Sequence, residues 1–291
     1  MKILYYCQHV LGIGHFHRSL ALCRKLAENH QVTLVLGGPE VDADLSGLNL
    51  LQLPGLEMDN SFNQLKPCNS DLPLNEVRSQ RTRLLQDTFL TVRPDIFITE
   101  LYPFGRKAFR FELDPILDLI HTDHSLSCKC FSSVRDILVE KVAGQEKFEK
   151  RVIKTLNGRF DGVLIHGDPE IITLDKTFSR FHEIHIPCHY TGFVVPASGQ
   201  MKNRTIDLRI QRNIPAERKL IVASIGGGNV GAELLEAAAA ATTILFEQEG
   251  LDLHLQIFTG PYCSEETTRR LQNYASSRIS VYRFSDNFTN W

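Results

Sequence analysis

The sequence predicts an α/β protein in which parallel strands are joined by crossover helices, in two successive series. Three observations carry this. Short β-branched and aromatic runs alternate with segments of helical spacing, the pattern of strand–helix–strand units. Each series opens in the same way: Lys2 to Gln8 runs into Gly12-Ile13-Gly14 and a helix, and Lys219 to Ile225 runs into Gly226-Gly227-Gly228 and a helix. Between them, Ile186 to Gly199 holds two prolines and two glycines, the composition of a linker. A length of 291 residues suits two domains, expected over 1–195 and 196–291.

The elements follow in order. The first strand gives way at Gly12 and Gly14 to a helix marked by Leu20, Leu22, Leu26 and Ala27. A second strand spans Val32 to Leu36 and ends in Gly37-Gly38-Pro39; a third spans Leu48 to Leu53 and ends in Pro54-Gly55. Residues 54–75 carry prolines and asparagines with little periodicity, which reads as a long loop, and a helix follows from Glu76 to Thr91. Pro94 stops that helix, and Asp95 to Glu100 reads as a buried strand with an acidic last residue. Cys128 to Phe131 and Gly162 to Ile165 are further strands, with helices around Arg106 to Ile120 and Asp136 to Leu156, giving about six strands before residue 170. In the second series a helix enters through Glu233-Leu234-Leu235 and an alanine run, and Leu253 to Phe258 and Ile279 to Tyr282 add strands. That half is small for a doubly wound domain, and the second domain is expected to be incomplete.

Composition narrows the function classes. An apolar fraction of 43% and a charged fraction of 23% exclude a disordered, collagen-like or coiled-coil chain. Subtracting 34 acidic from 32 basic residues leaves −2, so no chain-wide field draws nucleic acid or an anionic membrane. Seven cysteines (Cys7, Cys23, Cys68, Cys128, Cys130, Cys188, Cys263) are odd in number and irregularly spaced, unlike a secreted disulfide framework. A reducing cytosol fits them better, and a cytoplasmic protein is expected. The amino terminus lacks the pattern of a signal peptide, and no apolar run approaches the ~20 residues needed to cross a bilayer.

The sharpest constellation is Gly12-Ile13-Gly14-His15-Phe16-His17-Arg18 at the first strand-to-helix turn. Glycine lets a ligand approach the backbone, and the helix start offers unpaired N–H groups. Two readings stand: a plain helix-capping turn, or a substrate-contacting loop. A neutral imidazole at His15 has the basicity to accept a proton from a hydroxyl nucleophile. His17 reads as a solvated helix residue, and His9 is open. The full dinucleotide fingerprint is absent, because the third glycine and the acidic end of the second strand are missing. Ser224 to Ala232 repeats the turn without histidine or lysine; its Gly226, Gly227, Gly228 and Asn229 offer backbone donors suited to a diphosphate, or form a purely structural turn.

Glu100 to Lys107 begins at a strand end and combines a carboxylate with two cations. It is either a surface turn with a capped helix, or a site where Glu100 orients His15 and Arg106 binds an anionic group. Ser132-Ser133-Val134-Arg135-Asp136 is a similar crossing in which a serine caps. His121, Asp123, His124, Cys128 and Cys130 are zinc-competent in type, yet C-x-C on a strand points both sulfurs to one face without the usual turn, so no metal site is expected. His182, His185 and His189 fall in the linker region.

With these residues in place, the chain resembles the GT-B glycosyltransferases, in particular the group similar to the bacterial transferase that adds N-acetylglucosamine to lipid-linked muramyl-pentapeptide. The marks are Gly12-x-Gly14-His15-x-x-Arg18, Gly226-Gly227-Gly228 with Gly231-Ala232, and the linker ending near Pro196. Thr99 to Arg106 and Ser133-Val134-Arg135-Asp136 look like a bacterial subgroup of predicted glycosyltransferases. The resemblance implies two Rossmann-like domains, acceptor contacts mainly in the first and nucleotide-sugar contacts mainly in the second. It implies that His15 and its turn touch the acceptor or the donor phosphates, that the Gly227 turn holds the diphosphate, and that no cofactor or metal is needed. The expected reaction is an inverting transfer from a nucleotide-diphosphate sugar, with His15 and Glu100 as catalytic pair and Gly12, Gly14, Arg18, Arg106, Arg135 and Asp136 on the substrate side. The acceptor is left open, lipid-linked or a small molecule, with peripheral membrane contact possible. The family's second domain continues further than this sequence, so a non-catalytic acceptor-binding subunit that needs a partner is a competing expectation. A nucleotide-sugar epimerase of the same fold is another.

Overall fold

The structure is a computed structural model that describes residues 1–9, 14–41, 43–58, 64–68, 72–123, 125–140, 143–195, 208–228, 230–285, 288 and 291. The chain divides into two compact units, Met1–Ala197 and Ser198–Trp291.

The first unit is built on a seven-stranded sheet. Its strands are β1 (Lys2–Cys7), β2 (Gln31–Leu36), β3 (Asn49–Gln52), β6 (Ile96–Glu100), β7 (Lys129–Arg135), β8 (Gly162–His166) and β9 (Cys188–Tyr190). They lie in the order β3-β2-β1-β6-β7-β8-β9, and every pair is parallel. Setting aside a small antiparallel hairpin, β4 (Leu56–Met58) with β5 (Leu65–Pro67), this is the doubly wound order in which the chain reverses direction across the sheet between β1 and β6. The helices are α1 (Gly14–Ala27), α2 (Leu74–Val92), α3 (Arg110–Thr122) and α4 (Gln145–Arg159).

β1 shows why its sequence is a continuous apolar run rather than an alternating one. Leu4 and Tyr6 enter one core cluster while Ile3, Tyr5 and Cys7 enter the other, so both faces of the strand are covered. Removing each such side chain from water is worth about 1.5–3 kcal/mol. On α1, Phe16, Ser19, Leu20 and Cys23 are buried at i, i+3, i+4 and i+7, one face laid on the sheet. That leaves His15 and Arg18, three residues apart, as neighbours on another flank.

Several expectations are corrected. Residues 54–75 hold the β4–β5 hairpin rather than a structureless loop. The helix expected from Asp136 begins instead at Gln145, behind Gly144 in the left-handed region (φ 76°). The consecutive apolar residues Ile137, Leu138 and Val139 have no helical period, and the Leu138 N–H is taken by the Thr177 hydroxyl. Cys188–Tyr190, assigned to the linker, pairs with β8 as the edge strand of the first sheet. Pro187 is tolerated there because it precedes an edge strand and its carbonyl accepts from the Val163 N–H. Among the described residues eight strands, rather than about six, precede residue 170. Ser132 and Ser133 cap no helix; both are buried within β7.

In the second unit β10 (Lys219–Ser224), β11 (Leu253–Phe258) and β12 (Ile279–Tyr282) form a parallel three-stranded sheet in that order. It packs against α5 (Ala232–Glu249), and α6 (Glu265–Gln272) connects β11 to β12. Among the described residues no helix is long and apolar enough to cross a membrane.

Candidate active site

The carboxyl ends of β1 and β6 flank the point where the sheet order reverses, the place where open parallel sheets leave room for ligands. Glu100, the last residue of β6, lies there with its side chain fully buried. One imidazole and two guanidinium groups converge on it. His15 Nδ1 is 2.8 Å from Glu100 Oε1, and the Arg18 guanidinium donates to the same oxygen. Arg106 Nη2 lies 3.8 Å from Oε2. Burial by itself raises the Glu100 pKa, but the hydrogen bond and charge of His15 and the charges of Arg106 and Arg18 outweigh it, and the group is held below the ordinary carboxylate range.

Arg106 reaches this carboxylate because the turn after β6 is tightly folded. Leu101 and Arg106 both adopt left-handed backbone, with φ of 65° and 57°, a conformation that costs a non-glycine residue on the order of 1 kcal/mol or more. The turn is held by the Leu101 N–H donating to the Ser133 carbonyl at 2.7 Å and the Gly105 N–H donating to the Leu101 carbonyl at 2.7 Å. The Thr99 and Ser132 hydroxyls both donate to the Tyr102 carbonyl.

Arg18 Nη2 is also 3.3 Å from His15 Nδ1, but both groups turn a hydrogen toward Glu100 Oε1, so they meet on the carboxylate. With Nδ1 as donor, a neutral ring keeps its lone pair on Nε2. The His15 side chain is 31% exposed, and Nε2 makes no hydrogen bond among the described residues. Beside it is a pocket of about 310 Å³ lined by Gly14, His15, Arg18, Arg135, Asp136, His166, Phe193 and Val194. The structure therefore brings His15, Glu100, Arg18 and Arg106 into one cluster and places Gly14, Arg135 and Asp136 on the same pocket. Arg135 Nε is 3.4 Å from Asp136 Oδ1. Gly12 lies outside the described residues.

Sequence reasoning missed His166. It closes β8 opposite Arg135 of β7, and its ring bonds Ser133 Oγ at 2.8 Å and Thr191 Oγ1 at 2.7 Å. Burial and the Arg18 charge lower its pKa to about 4, with Glu100 acting weakly the other way. The signal was available: a polar residue that ends a buried apolar strand points at the ligand edge of such a sheet. His9 proves buried, with Nε2 2.7 Å from the Pro39 carbonyl. His17 is exposed on α1. Cys128 and Cys130 both enter the main core cluster, and His121 Nδ1 bonds the Leu117 carbonyl, while His124 lies outside the described residues.

The glycine turn of the second unit is demanding in its backbone. Gly226, Gly228 and Gly231 have φ of 65°, 95° and 94°, and a Cβ on Gly228 would lie 2.5 Å from the Thr259 carbonyl oxygen. The Tyr262 N–H donates to the Gly227 carbonyl at 2.8 Å, so two loops are packed backbone to backbone. A pocket of about 380 Å³ at the start of α5 is lined by Gly228, Gly231, Ala232, Glu233, Tyr262 and Ser264 among others. Among the described residues its lining carries the carboxylate of Glu233 and no lysine or arginine, so an anion held there would draw on backbone N–H groups and the hydroxyls of Tyr262, Ser264 and Thr267. Asn229 lies outside the described residues.

Solved glycosyltransferase structures match this chain over nearly all of its length. A glycosyltransferase from Rickettsia africae matches with a TM-score of 0.62 at 11% identity, over 99% of this chain and 69% of that one. The fold is that of the GT-B glycosyltransferases. Sucrose-phosphate synthase from Thermosynechococcus elongatus shares this fold with a TM-score of 0.56 at 13% identity, over 97% and 70% of the two chains. UGT2 of Phytolacca americana, solved with UDP-2-fluoro-glucose and pterostilbene, gives 0.55 at 11% identity, over 98% and 72%. No protein-family model matches the sequence, and a sequence search among curated proteins gives no match.

Proposed function

We propose that this GT-B chain transfers a sugar from a nucleotide-diphosphate donor to a hydroxyl or amine acceptor, with inversion and without a bound metal. The observation that carries the reading is the His15–Glu100 pair at the switch point, which fixes one imidazole nitrogen on a buried carboxylate and leaves the other beside a pocket. The acceptor occupies the first-unit pocket. His15 Nε2 takes its proton as the acceptor oxygen or nitrogen attacks the anomeric carbon, and the bond from that carbon to the diphosphate oxygen breaks with its electron pair leaving on the diphosphate. Within the second unit, the N–H groups around Gly226–Gly228 and the start of α5 suit the diphosphate of such a donor. Glu100 is already matched by Arg18 and Arg106, so its contribution is to hold the His15 ring and tautomer more than to raise its basicity. Arg135 and Asp136 line the same pocket and contact the acceptor.

The solved relative that carries UDP-2-fluoro-glucose supports a nucleotide-sugar donor by its shared fold alone, which is why the residues must be tested directly. His15→Ala is expected to lower turnover about 10²-fold or more while the chain still folds. Turnover equal to wild type with a verified donor and acceptor would remove His15 from the mechanism.

A further inference from the structure

The pocket beside His15 has a second imidazole, His166, whose two nitrogens are both occupied. Thr191 Oγ1 sits 3.3 Å from the Ile165 carbonyl and 3.4 Å from the Gly192 carbonyl, both obligate acceptors, and with its one hydrogen shared between them the Thr191 hydroxyl receives the His166 Nδ1–H. Nε2 is then the acceptor for the Ser133 hydroxyl, and Ser133 Oγ in turn accepts from the buried Tyr5 O–H at 2.9 Å. In this order the Ser133 and Thr191 hydroxyls each donate and accept, the Tyr5 hydroxyl donates, and the ring is neutral, as expected for a group whose pKa falls to about 4. The run starts deep in β1, crosses β7 and β8, and ends on the residue that follows β9. From Thr191 the chain turns through Gly192, at φ 77°, into Phe193 and Val194, which line the pocket with His15.

We propose that His166 is a positioning residue: through the Thr191 hydroxyl it pins the segment 191–195, and so sets the apolar wall against which the acceptor is held beside His15. The part concerning the acceptor rests on the transferase reading; the pinning does not. His166 has no free nitrogen for proton transfer while this chain of hydrogen bonds is intact, which separates its role from that of His15.

The test uses the whole chain in two assays. Hydrogen exchange is followed at the Thr191 and Gly192 amides, which donate to the Ile165 and Gly167 carbonyls. His166→Leu and Thr191→Val should each speed exchange there by about tenfold, the loss of one buried hydrogen bond, without changing exchange in β1. His166→Gln, which can accept from Ser133 and donate to Thr191, and Thr191→Ser should stay near wild type. The double variant His166→Leu/Thr191→Val should be no worse than either single one, because both remove the same link. In a transfer assay the disrupting variants should raise the acceptor KM about tenfold with kcat changed by less than about threefold. Thr191→Val leaves the ring in place and carries the test should His166→Leu fail to fold. Wild-type exchange in Thr191→Val, or additive effects in the double variant, would overturn the pinning. If the exchange results hold and wild type transfers no sugar from any donor, the pinning stands and the transferase reading falls.

Discussion

Two buried arginine–glutamate clusters in the first unit use the same chemistry to opposite ends. Arg81 of α2 and Glu112 of α3 are both fully buried. Arg81 Nε donates to Glu112 Oε2 at 2.8 Å and Nη2 to Oε1, while Nη1 donates to the Gly37 and Pro54 carbonyls and Nη2 also to Gln8 Oε1. All five guanidinium hydrogens are used, and the Tyr6 hydroxyl donates to Glu112 as well. The Glu100 cluster is open by contrast. Glu100 Oε2, Arg18 Nε and Arg106 Nε are buried without a hydrogen-bond partner among the described residues, and His15 reaches solvent. A closed ionic cluster ties helices to loops; one with spare donors and acceptors at the ligand edge of a sheet has capacity left for a substrate.

The largest expected effect lies in the closed cluster. Arg81→Met should destabilise the chain by about 3–5 kcal/mol in denaturant unfolding, since it strands a buried carboxylate. Adding Glu112→Leu should recover much of that loss, whereas a loss that simply doubles would show that Arg81 acts through packing instead.

Acid sharpens the contrast next. His166 has a folded pKa of about 4 against an ordinary 6.5, so the unfolded chain binds more protons between those values. Stability from this group is complete above about pH 6.5 and falls as the pH drops toward 4, by roughly 3 kcal/mol in all. Glu100, held below its ordinary value, loses its contribution only at still lower pH, as the pH falls through its folded pKa. Unfolding midpoints between pH 7 and 4 for wild type and His166→Gln check this: the slope in that window should shrink in the variant.

In the open cluster, Glu100→Gln should cost the fold about 1–2 kcal/mol, less than Arg81→Met, because Arg18 and Arg106 are partly solvated. It should still lower turnover about tenfold or more by releasing the His15 ring. A variant that loses stability and keeps full turnover would make Glu100 another structural anchor.

The smallest effect is expected at Gly14. Among the described residues a Cβ there meets nothing within 4 Å, so Gly14→Ala should leave stability within about 0.5 kcal/mol. Acceptor affinity should nonetheless weaken, because the methyl enters the pocket; unchanged steady-state KM would mean that the substrate keeps clear of the helix start.

Much of the open cluster was legible in the residue order. His15 and Arg18 are three apart on one helix, and Glu100 ends a buried run, so each could be placed at the ligand edge from strand and helix periods alone. The closed cluster was not. Val77, Arg81, Leu85 and Phe89 form the buried stripe of α2 at i+4 spacing, and an arginine in such a stripe reads as an interruption until its partner on α3 is known. His166 was missed for a related reason: its value depends on Ser133, Tyr5 and Thr191, which lie 33, 161 and 25 residues away in sequence.

What the residues alone decided is the local grammar: continuous apolar runs for doubly covered strands, glycines where the backbone must turn left-handed, and one helical face for the core. Those follow from short-range sterics and the 3.6 and 2.0 periods, which need no knowledge of distant chain. Which cations meet Glu100, which strand Cys188–Tyr190 joins, and which hydroxyls hold His166 were decided by the packed sheet. Hydrogen bonds and ion pairs act over a few ångströms, and only the folded chain brings their two ends within that range.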